Sequence, residues 1–181
     1  MTPTQQWTTG PQRFPNEEGG GNALSEFVAA LDHSGLHAAL RYLNGRARFR
    51  FTGVYRCQQS VLIIESLYDR ENPSLEHCGG IRQLEGTFCS IVLATGEPFS
   101  TSNSQADTGL EKFPVRRTVI SYSGVPIRMP GGRVAGVLCH YDLRPRLIPR
   151  EELKTLESVT PYLARYLHAS WDLSTLSTER G

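Results

Sequence analysis

One stretch, residues 119–143, constrains the fold of this 181-residue chain more than any other. Two apolar, strand-like segments flank Pro130, Gly131 and Gly132. Proline and glycine together mark a turn, because glycine adopts positive φ at little steric cost. The stretch therefore predicts a β-hairpin. Both arms are too apolar for surface strands, so we expect the hairpin in the middle of a sheet. The polar side chains among its apolar residues could hold a small molecule; they are Ser121, Tyr122, Ser123, Cys139, His140 and Tyr141.

Composition excludes several classes of protein. The formal net charge is +1, which provides no overall field for binding nucleic acid or an anionic membrane. No apolar run reaches the roughly 18 residues of a membrane span, and residues 1–21 lack the apolar core of a signal peptide. We therefore expect a cytoplasmic protein. Its four cysteines are irregularly spaced without a CxxC pair, so we predict free thiols and no metal site, with disulfide bonding left open.

The chain divides into three parts. Residues 1–21 are polar and end in three glycines, which predicts a flexible arm. Residues 22–170 have the apolar pattern of one folded domain, and residues 171–181 are rich in serine and threonine, which predicts a frayed tail.

Helical spacing of apolar residues predicts a long helix at each end of the domain. The first begins at Asn22, is interrupted or bent at Gly35 and closes after Asn44. The second follows Pro149 and should kink at Pro161, because proline removes one backbone hydrogen bond.

The segment after the first helix alternates with a period of two, which predicts a strand. Phe51 and Tyr55 point to one side, and Arg48, Arg50 and Arg56 point to the other. The arginines could bind phosphate, but we favour the solvated face of an antiparallel sheet.

The remaining predicted elements are strands over residues 61–68, 81–84 and 99–102 and a short helix over residues 88–94, which Thr87 can cap and which ends at Thr95 and Gly96. This order predicts an α+β domain with a largely antiparallel sheet and the terminal helices on one face. The other face is left for loops and a ligand.

Three stretches, in this order, resemble the GAF domain family. They are TFCSIVLATGEPF, VISYSGVPIRMPGGRVAGVLCHYDLRPR and LKTLESVTPYLARYL, and the resemblance covers residues 23–168. It implies a sheet of about six antiparallel strands with helices behind it and a small-molecule pocket under loops on the other face. It also implies a stand-alone sensor or regulatory module that signals to a separate protein.

The same resemblance includes one enzyme branch, free methionine-(R)-sulfoxide reductase, which uses a catalytic and a resolving cysteine. Cys78 and Cys89 have a spacing close to that of this branch, but the catalytic cysteine would lie within residues 115–118, where this chain has none. Without a thiolate there the reaction cannot start. We therefore favour a protein that is not an enzyme, and keep a redox enzyme or thiol sensor using Cys78 and Cys89 as the alternative.

The sequence assigns no cofactor. The last strand resembles the corresponding phytochrome strand, but the other bilin-binding motifs are absent, and no motif for a cyclic nucleotide stands out. Haem would need an axial ligand, for which His77 or His140 could serve. A lone histidine on a sheet is more often a hydrogen-bonded structural residue.

Candidate ligand contacts come from the first strand, the short helix and the hairpin. They are Phe51, Tyr55, Cys89, Ser90, Ser121, Ser123 and His140. The start of the short helix could hold an anion, and the two serines share a face because strand side chains alternate. Residues such as Phe51 and Tyr55 are more often plain core than ligand contacts, and the serines could merely satisfy backbone groups. We interpret Cys139 as a small buried apolar filler.

The apolar stripes on the terminal helices predict a homodimer that bundles them. The alternative is that each stripe packs only against its own sheet.

Overall fold

The computed structural model describes residues 20–176, which form three α-helices and six strands. The helices are α1 (Gly20–Arg46), α2 (Phe88–Thr95) and α3 (Arg150–Leu176). The strands are β1 (Phe51–Gln58), β2 (Val61–Asp69), β3 (Ile81–Gln83), β4 (Phe99–Thr101), β5 (Ser121–Arg128) and β6 (Val134–Asp142). The strand order is β3-β2-β1-β6-β5-β4, and all neighbours are antiparallel. The α+β fold predicted from the sequence is confirmed.

Parts of the predicted arm and tail lie outside the described residues. Of the arm, only the first residues of α1 are described, because this helix begins at Gly20. Helix α3 continues to Leu176, so residues 172–176 of the expected tail are helical. Among the described residues, we find no helix that combines the length and the hydropathy needed to cross a membrane.

The predicted hairpin is formed by β5 and β6. Its turn contains Gly131 and Gly132 with φ of 91° and 88°, a conformation that side chains larger than glycine rarely adopt. Strand β6 pairs with β1 on its other edge, so the hairpin lies inside the sheet.

Helices α1 and α3 cover one side of the sheet, which we call the helix face. The interruption predicted at Gly35 is present, with φ of 82° and ψ of −178°. Pro161 lies inside α3. The stripes of both helices are largely buried against the sheet; the fully buried members include Phe27, Leu40, Leu43, Leu156, Val159 and Leu163. The opposite side, the loop face, is covered by α2 and by residues 102–120.

The prediction of a solvated arginine face on β1 is wrong. Thr52 and Val54 lie on that face and are completely buried beneath the terminal helices. Arg50 instead forms ion pairs at the end of the sheet with Asp69 (2.8 Å) and Glu71 (2.6 Å). Alternation showed that the strand has two faces, but only the packing of the helices determines which face is covered.

Candidate functional site

The loop face contains a half-open cavity of about 280 Å³ between the sheet and a roof formed by α2 and the 3₁₀ turn Pro114–Arg117. Its apolar lining residues are Leu62, Ile64, Leu67, Phe88, Val115 and Val119. Its polar lining residues are Tyr55, Arg82, Gln83, Thr87, Cys89, Tyr122, Cys139 and Tyr141. Apolar walls with a few inward polar groups are typical of small-molecule sites.

Cys139 lies on the floor of the cavity between two glycines of the neighbouring strands. Gly53 on β1 and Gly124 on β5 lie directly opposite Cys139 on β6, one on each side. A Cβ added at Gly53 would meet the ring of Tyr55 at 2.8 Å, and one at Gly124 would meet the hydroxyl of Tyr122 at 2.3 Å. The two tyrosines therefore fold back across the glycines, and both rings flank Cys139.

Three phenols and two thiols lie on the sheet side of the cavity; Tyr141 is half-buried and the other four groups are buried. The hydroxyls of Tyr55 and Tyr141 lie 3.3 Å apart, and the thiol of Cys89 lies 3.3 Å from the hydroxyl of Tyr122. Burial raises the pKa of all three phenols above the usual range. They stay protonated at neutral pH, so each retains a proton that it can donate to a neighbour or to a ligand.

The two cysteines of the cavity differ in acidity. Hydrogen bonding with the Cys139 thiol and with Tyr122 lowers the pKa of Cys89, against the opposing effect of burial. Burial raises the pKa of Cys139 well above its usual range, and the neighbouring Cys89 adds to this effect. Of the two, Cys89 is therefore the group that more readily becomes a thiolate.

A well-capped start of α2 positions Cys89. The side chain of Thr87 accepts a hydrogen bond from the backbone N–H of Ser90 (3.3 Å), and the Ser90 hydroxyl donates to the Thr87 carbonyl (2.6 Å). Gly96 ends the helix in a left-handed conformation, as the sequence predicts. Cys89 is thereby held in the first turn, facing the sheet.

The structure brings two of the seven predicted contacts to the cavity wall, Tyr55 and Cys89. Phe51 lies beside the cavity and stacks on Tyr141 with ring centroids 4.6 Å apart. Ser90 belongs to the cap of α2 and does not line the cavity. The three hairpin residues in the predicted set lie on the opposite face of the sheet.

Ser121, Ser123 and His140 are completely buried on the helix face, each with a protein partner. The Ser121 hydroxyl donates to the carbonyl of Arg144 (2.8 Å), and the Ser123 hydroxyl lies 3.1 Å from that of Ser100. The two serines do share a face, but the helices and not the cavity cover that face. The structure therefore separates these three residues from Tyr55 and Cys89.

His140 joins β6 to both terminal helices. Its Nε2 lies 2.9 Å from the Glu152 carboxylate in α3, and its Nδ1 lies 2.6 Å from the hydroxyl of Thr52. The Asn44 amide at the end of α1 donates to that hydroxyl (2.9 Å), so Thr52 can donate its own proton to Nδ1. The imidazole would then donate through Nε2 to Glu152. His140 therefore has the hydrogen-bonded structural role that is common for a lone histidine on a sheet.

Neither histidine considered for haem reaches the cavity, because His140 lies on the helix face and His77 is exposed. Among the residues that the structure describes, no three histidine, cysteine or carboxylate side chains are grouped as metal ligands.

Tyr122, Cys139 and Tyr141 line the cavity and belong to the polar residues of the hairpin where a small molecule was expected, but they were left out of the seven predicted contacts, and Cys139 was interpreted as filler. All three alternate along the hairpin with the serines and His140 that were selected. The sequence did contain a signal for this face, because Tyr122 and Gly124 lie two positions apart on the same side of the strand. A glycine inside a strand often marks a site where another group approaches the backbone closely.

The chain was compared with protein families, with curated proteins and with solved structures. The family model described as "GAF domain" matches residues 25–167. No curated protein matches.

Similar solved structures include the GAF domain from an Acinetobacter phosphoenolpyruvate-protein phosphotransferase, at a TM-score of 0.66 and 16% identity, covering 82% of this chain and 93% of that one. Free methionine-R-sulfoxide reductase from Neisseria meningitidis, in complex with its substrate, has a TM-score of 0.66 at 14% identity, with 89% and 97% coverage. The type II free methionine-R-sulfoxide reductase from Thermoplasma acidophilum has a TM-score of 0.56 at 18% identity, with 82% and 94% coverage. At these identities the similarity shows a shared fold.

Proposed function

The chain belongs to the GAF domain family, and from this premise we propose that it is a regulatory module that binds a small molecule in the cavity on its loop face. The observation that supports the proposal is the cavity of about 280 Å³, with apolar walls and inward-facing phenol and thiol groups. It lies on the face that the terminal helices leave uncovered.

The lining favours a compact ligand that is neutral over most of its surface. No carboxylate or lysine lines the described cavity, and Arg82, which is exposed, is its one cationic side chain. Burying an unpaired charge against such walls would be costly. The volume is at the lower end of the range for small-molecule sites, which favours a small metabolite over a dinucleotide. A hydrogen-bond acceptor on the ligand would face the phenols.

Strand β6 offers a direct route from ligand to partner. Cys139 and Tyr141 line the cavity, while His140 between them holds Glu152 near the start of α3 on the other face. A ligand that shifts β6 would therefore change the anchoring of α3. We propose that a separate signalling protein reads this change through the terminal helices.

The test is native mass spectrometry of the purified protein beside its denatured mass, followed by a thermal-shift screen of small neutral aromatic and aliphatic compounds. A ligand at one hundred times its dissociation constant should stabilise the domain by about 2.7 kcal/mol. This corresponds to a rise in Tm of about 5–10 °C for a chain of this size.

Blocking the cavity supplies the control. Val115→Trp places a large side chain in the roof and should abolish the shift, whereas Val134→Trp lies outside the cavity lining and should retain it. A ligand whose stabilisation is the same in both variants would show that binding occurs elsewhere and would contradict the proposal.

The reductase alternative has one observation in its favour, the fold shared with methionine sulfoxide reductases. At the position where the resemblance places the catalytic cysteine, Val115 does line the cavity, but it has no thiol. Cys78 is exposed and Cys89 is buried. We expect no turnover of free methionine sulfoxide; turnover that Cys89→Ser abolishes would establish the alternative.

Homodimerisation through the terminal helices stays a prediction. Leu156, Val159 and Leu163 of the α3 stripe are fully buried against the domain's own sheet, which leaves little of the stripe for a second copy. Tyr166 is 46% exposed. Sedimentation of Tyr166→Ala beside the unmodified protein would test whether this remaining surface holds a dimer.

A further inference from the structure

The cavity contains two cysteines that come from distant parts of the chain and meet at one hydroxyl group. Cys89 is in α2 and Cys139 is in β6, and their side chains line the same cavity. All four cysteines are reduced in the structure. Cys57 and Cys78 do not line the cavity, although Cys57 packs against the same core cluster as Cys89.

The position of the Tyr122 hydroxyl shows that the two thiols are close. This hydroxyl lies across Gly124, where an added Cβ would meet it at 2.3 Å, and Gly124 is the direct cross-strand partner of Cys139. Directly opposite residues of an antiparallel pair have Cα atoms about 4.5–5.5 Å apart. From above, the Cys89 thiol approaches the same hydroxyl at 3.3 Å. Both thiols therefore converge on the end of one tyrosine ring.

The surroundings give the two thiols different reactivity. The Cys139 thiol and, to a smaller extent, the Tyr122 hydroxyl stabilise negative charge on Cys89 by hydrogen bonding, which lowers the pKa of Cys89 although burial opposes it. The pKa of Cys139 is raised, so it remains a thiol and keeps its proton. One nucleophile and one nearby protonated thiol are the two groups that a two-step oxidation requires.

We propose that Cys89 and Cys139 form a redox site that a hydroperoxide converts to an intramolecular disulfide inside the cavity. In the first step the Cys89 thiolate attacks the terminal peroxide oxygen; the O–O bond breaks, Cys89 becomes a sulfenic acid, and the leaving oxygen takes up a proton as water or an alcohol. In the second step the Cys139 sulfur attacks the sulfenic sulfur, and the sulfenic oxygen leaves with the Cys139 proton as water. In total, two thiols are oxidised and one peroxide is reduced.

This activity goes beyond reversible ligand binding, because it requires only the two thiols and an oxidant small enough to enter. It also differs from a Cys78–Cys89 pair, since Cys78 lies outside the cavity. Hydrogen peroxide is the probe that fits the site most easily.

The test oxidises the reduced, full-length protein with hydrogen peroxide, blocks the remaining thiols in denaturant and maps the peptides without reduction. The expected product is a Cys89–Cys139 linked peptide, with an intact mass lower by two hydrogen atoms. The control variant Cys78→Ser should give the same product. A Cys78–Cys89 or Cys57–Cys89 link in place of the expected one, or no linked peptide in the unmodified protein, would overturn the proposal.

Two further variants resolve the steps. Cys139→Ser should stop at a sulfenic acid on Cys89 that dimedone captures, whereas Cys89→Ser should leave Cys139 unoxidised under the same conditions. Tyr122→Phe should slow the oxidation about fivefold, the factor that one ordinary hydrogen bond supplies. Oxidation of Cys139 in Cys89→Ser at the unmodified rate would overturn the assigned order of attack. None of these readouts depends on a reversible ligand, so they can fail independently of the proposed sensor function.

Discussion

At the centre of the sheet, neighbouring residues of the same strands have opposite surroundings. On the helix face, Val54, Val125 and Leu138 are completely buried and pack in the same core as side chains of α1 and α3. One residue further along β6, Cys139 forms the floor of a cavity of about 280 Å³. The comparison indicates that close packing on the helix face stabilises the domain, whereas the loop face leaves room for a ligand or a reactant.

The polar groups of the two faces differ in the same way. His140 on the helix face has a protein partner at both ring nitrogens, so nothing remains for a ligand. The hydroxyls of Tyr55 and Tyr141 contact each other on the loop face and line empty space. A fully satisfied network fixes the position of a helix, whereas a partly satisfied one can accept a ligand.

The largest expected difference between the faces follows from shortening one leucine on each. Leu138→Ala should lower the free energy of unfolding by about 2–5 kcal/mol, because it leaves a void in a closed core. Leu62→Ala should cost about half as much, since Leu62 already borders the cavity. Urea unfolding of both variants measures the difference; equal losses would mean that the two faces are equally close-packed.

Replacing one glycine on each face by alanine should change the stability less than shortening a leucine does. The two replacements should also differ in what they disturb. A Cβ at Gly136 would lie 2.4 Å from the backbone oxygen of Tyr55 and 2.6 Å from the ring of Trp171, so Gly136→Ala should cost about 1–3 kcal/mol. At Gly124 the three atoms nearest to the Cβ all belong to the outer end of the Tyr122 side chain and none to the backbone. Gly124→Ala should therefore cost less stability but displace the hydroxyl from Cys89. Thermal unfolding and the rate of Cys89 alkylation distinguish the two effects.

Acid should destabilise the domain by weakening the ion pair between Arg50 and Asp69, which lies at the end of the sheet and not on either face. Hydrogen bonds from Arg50 lower the pKa of Asp69 to about 2, below its ordinary value of about 4. The resulting stabilisation of about 2 kcal/mol is present above pH 4 and is lost as the pH falls toward 2. Asp69→Asn should remove this dependence, as unfolding measured between pH 2 and 6 would show. An unchanged acid dependence in the variant would contradict this assignment.

Alkali should act on the loop face. The pKa values of Tyr55, Tyr122 and Tyr141 are raised by burial, so above pH 10 the unfolded chain ionises these phenols while the folded chain does not. Stability should then fall with rising pH by up to about 1.4 kcal/mol per pH unit for each phenol. Tyr141→Phe removes one of the three phenols. The loss of stability per pH unit, measured by unfolding between pH 9 and 11, should therefore be smaller by the contribution of that one phenol. A slope that Tyr141→Phe does not change would show that this phenol is already ionised in the folded state.

Much of the fold was predictable because it depends on local patterns. The turn glycines, the break at Gly35 and the cap at Thr87 act over a few residues, and each is present in the structure. Of the candidate site, Tyr55 and Cys89 were predicted, and both line the cavity. Ser121, Ser123 and His140 were grouped with them because a polar residue in an apolar strand looks the same on either face.

The sequence by itself determined which segments are strands and helices, because spacing and turn residues decide this locally. It also determined that residues 121 and 123 share a face, because strand side chains alternate. Only the tertiary structure decided which face the terminal helices cover and that Gly53, Cys139 and Gly124 lie in one row across three strands. The physical reason is that pairing between distant strands, and the side on which helices dock, depend on the packing of the whole core.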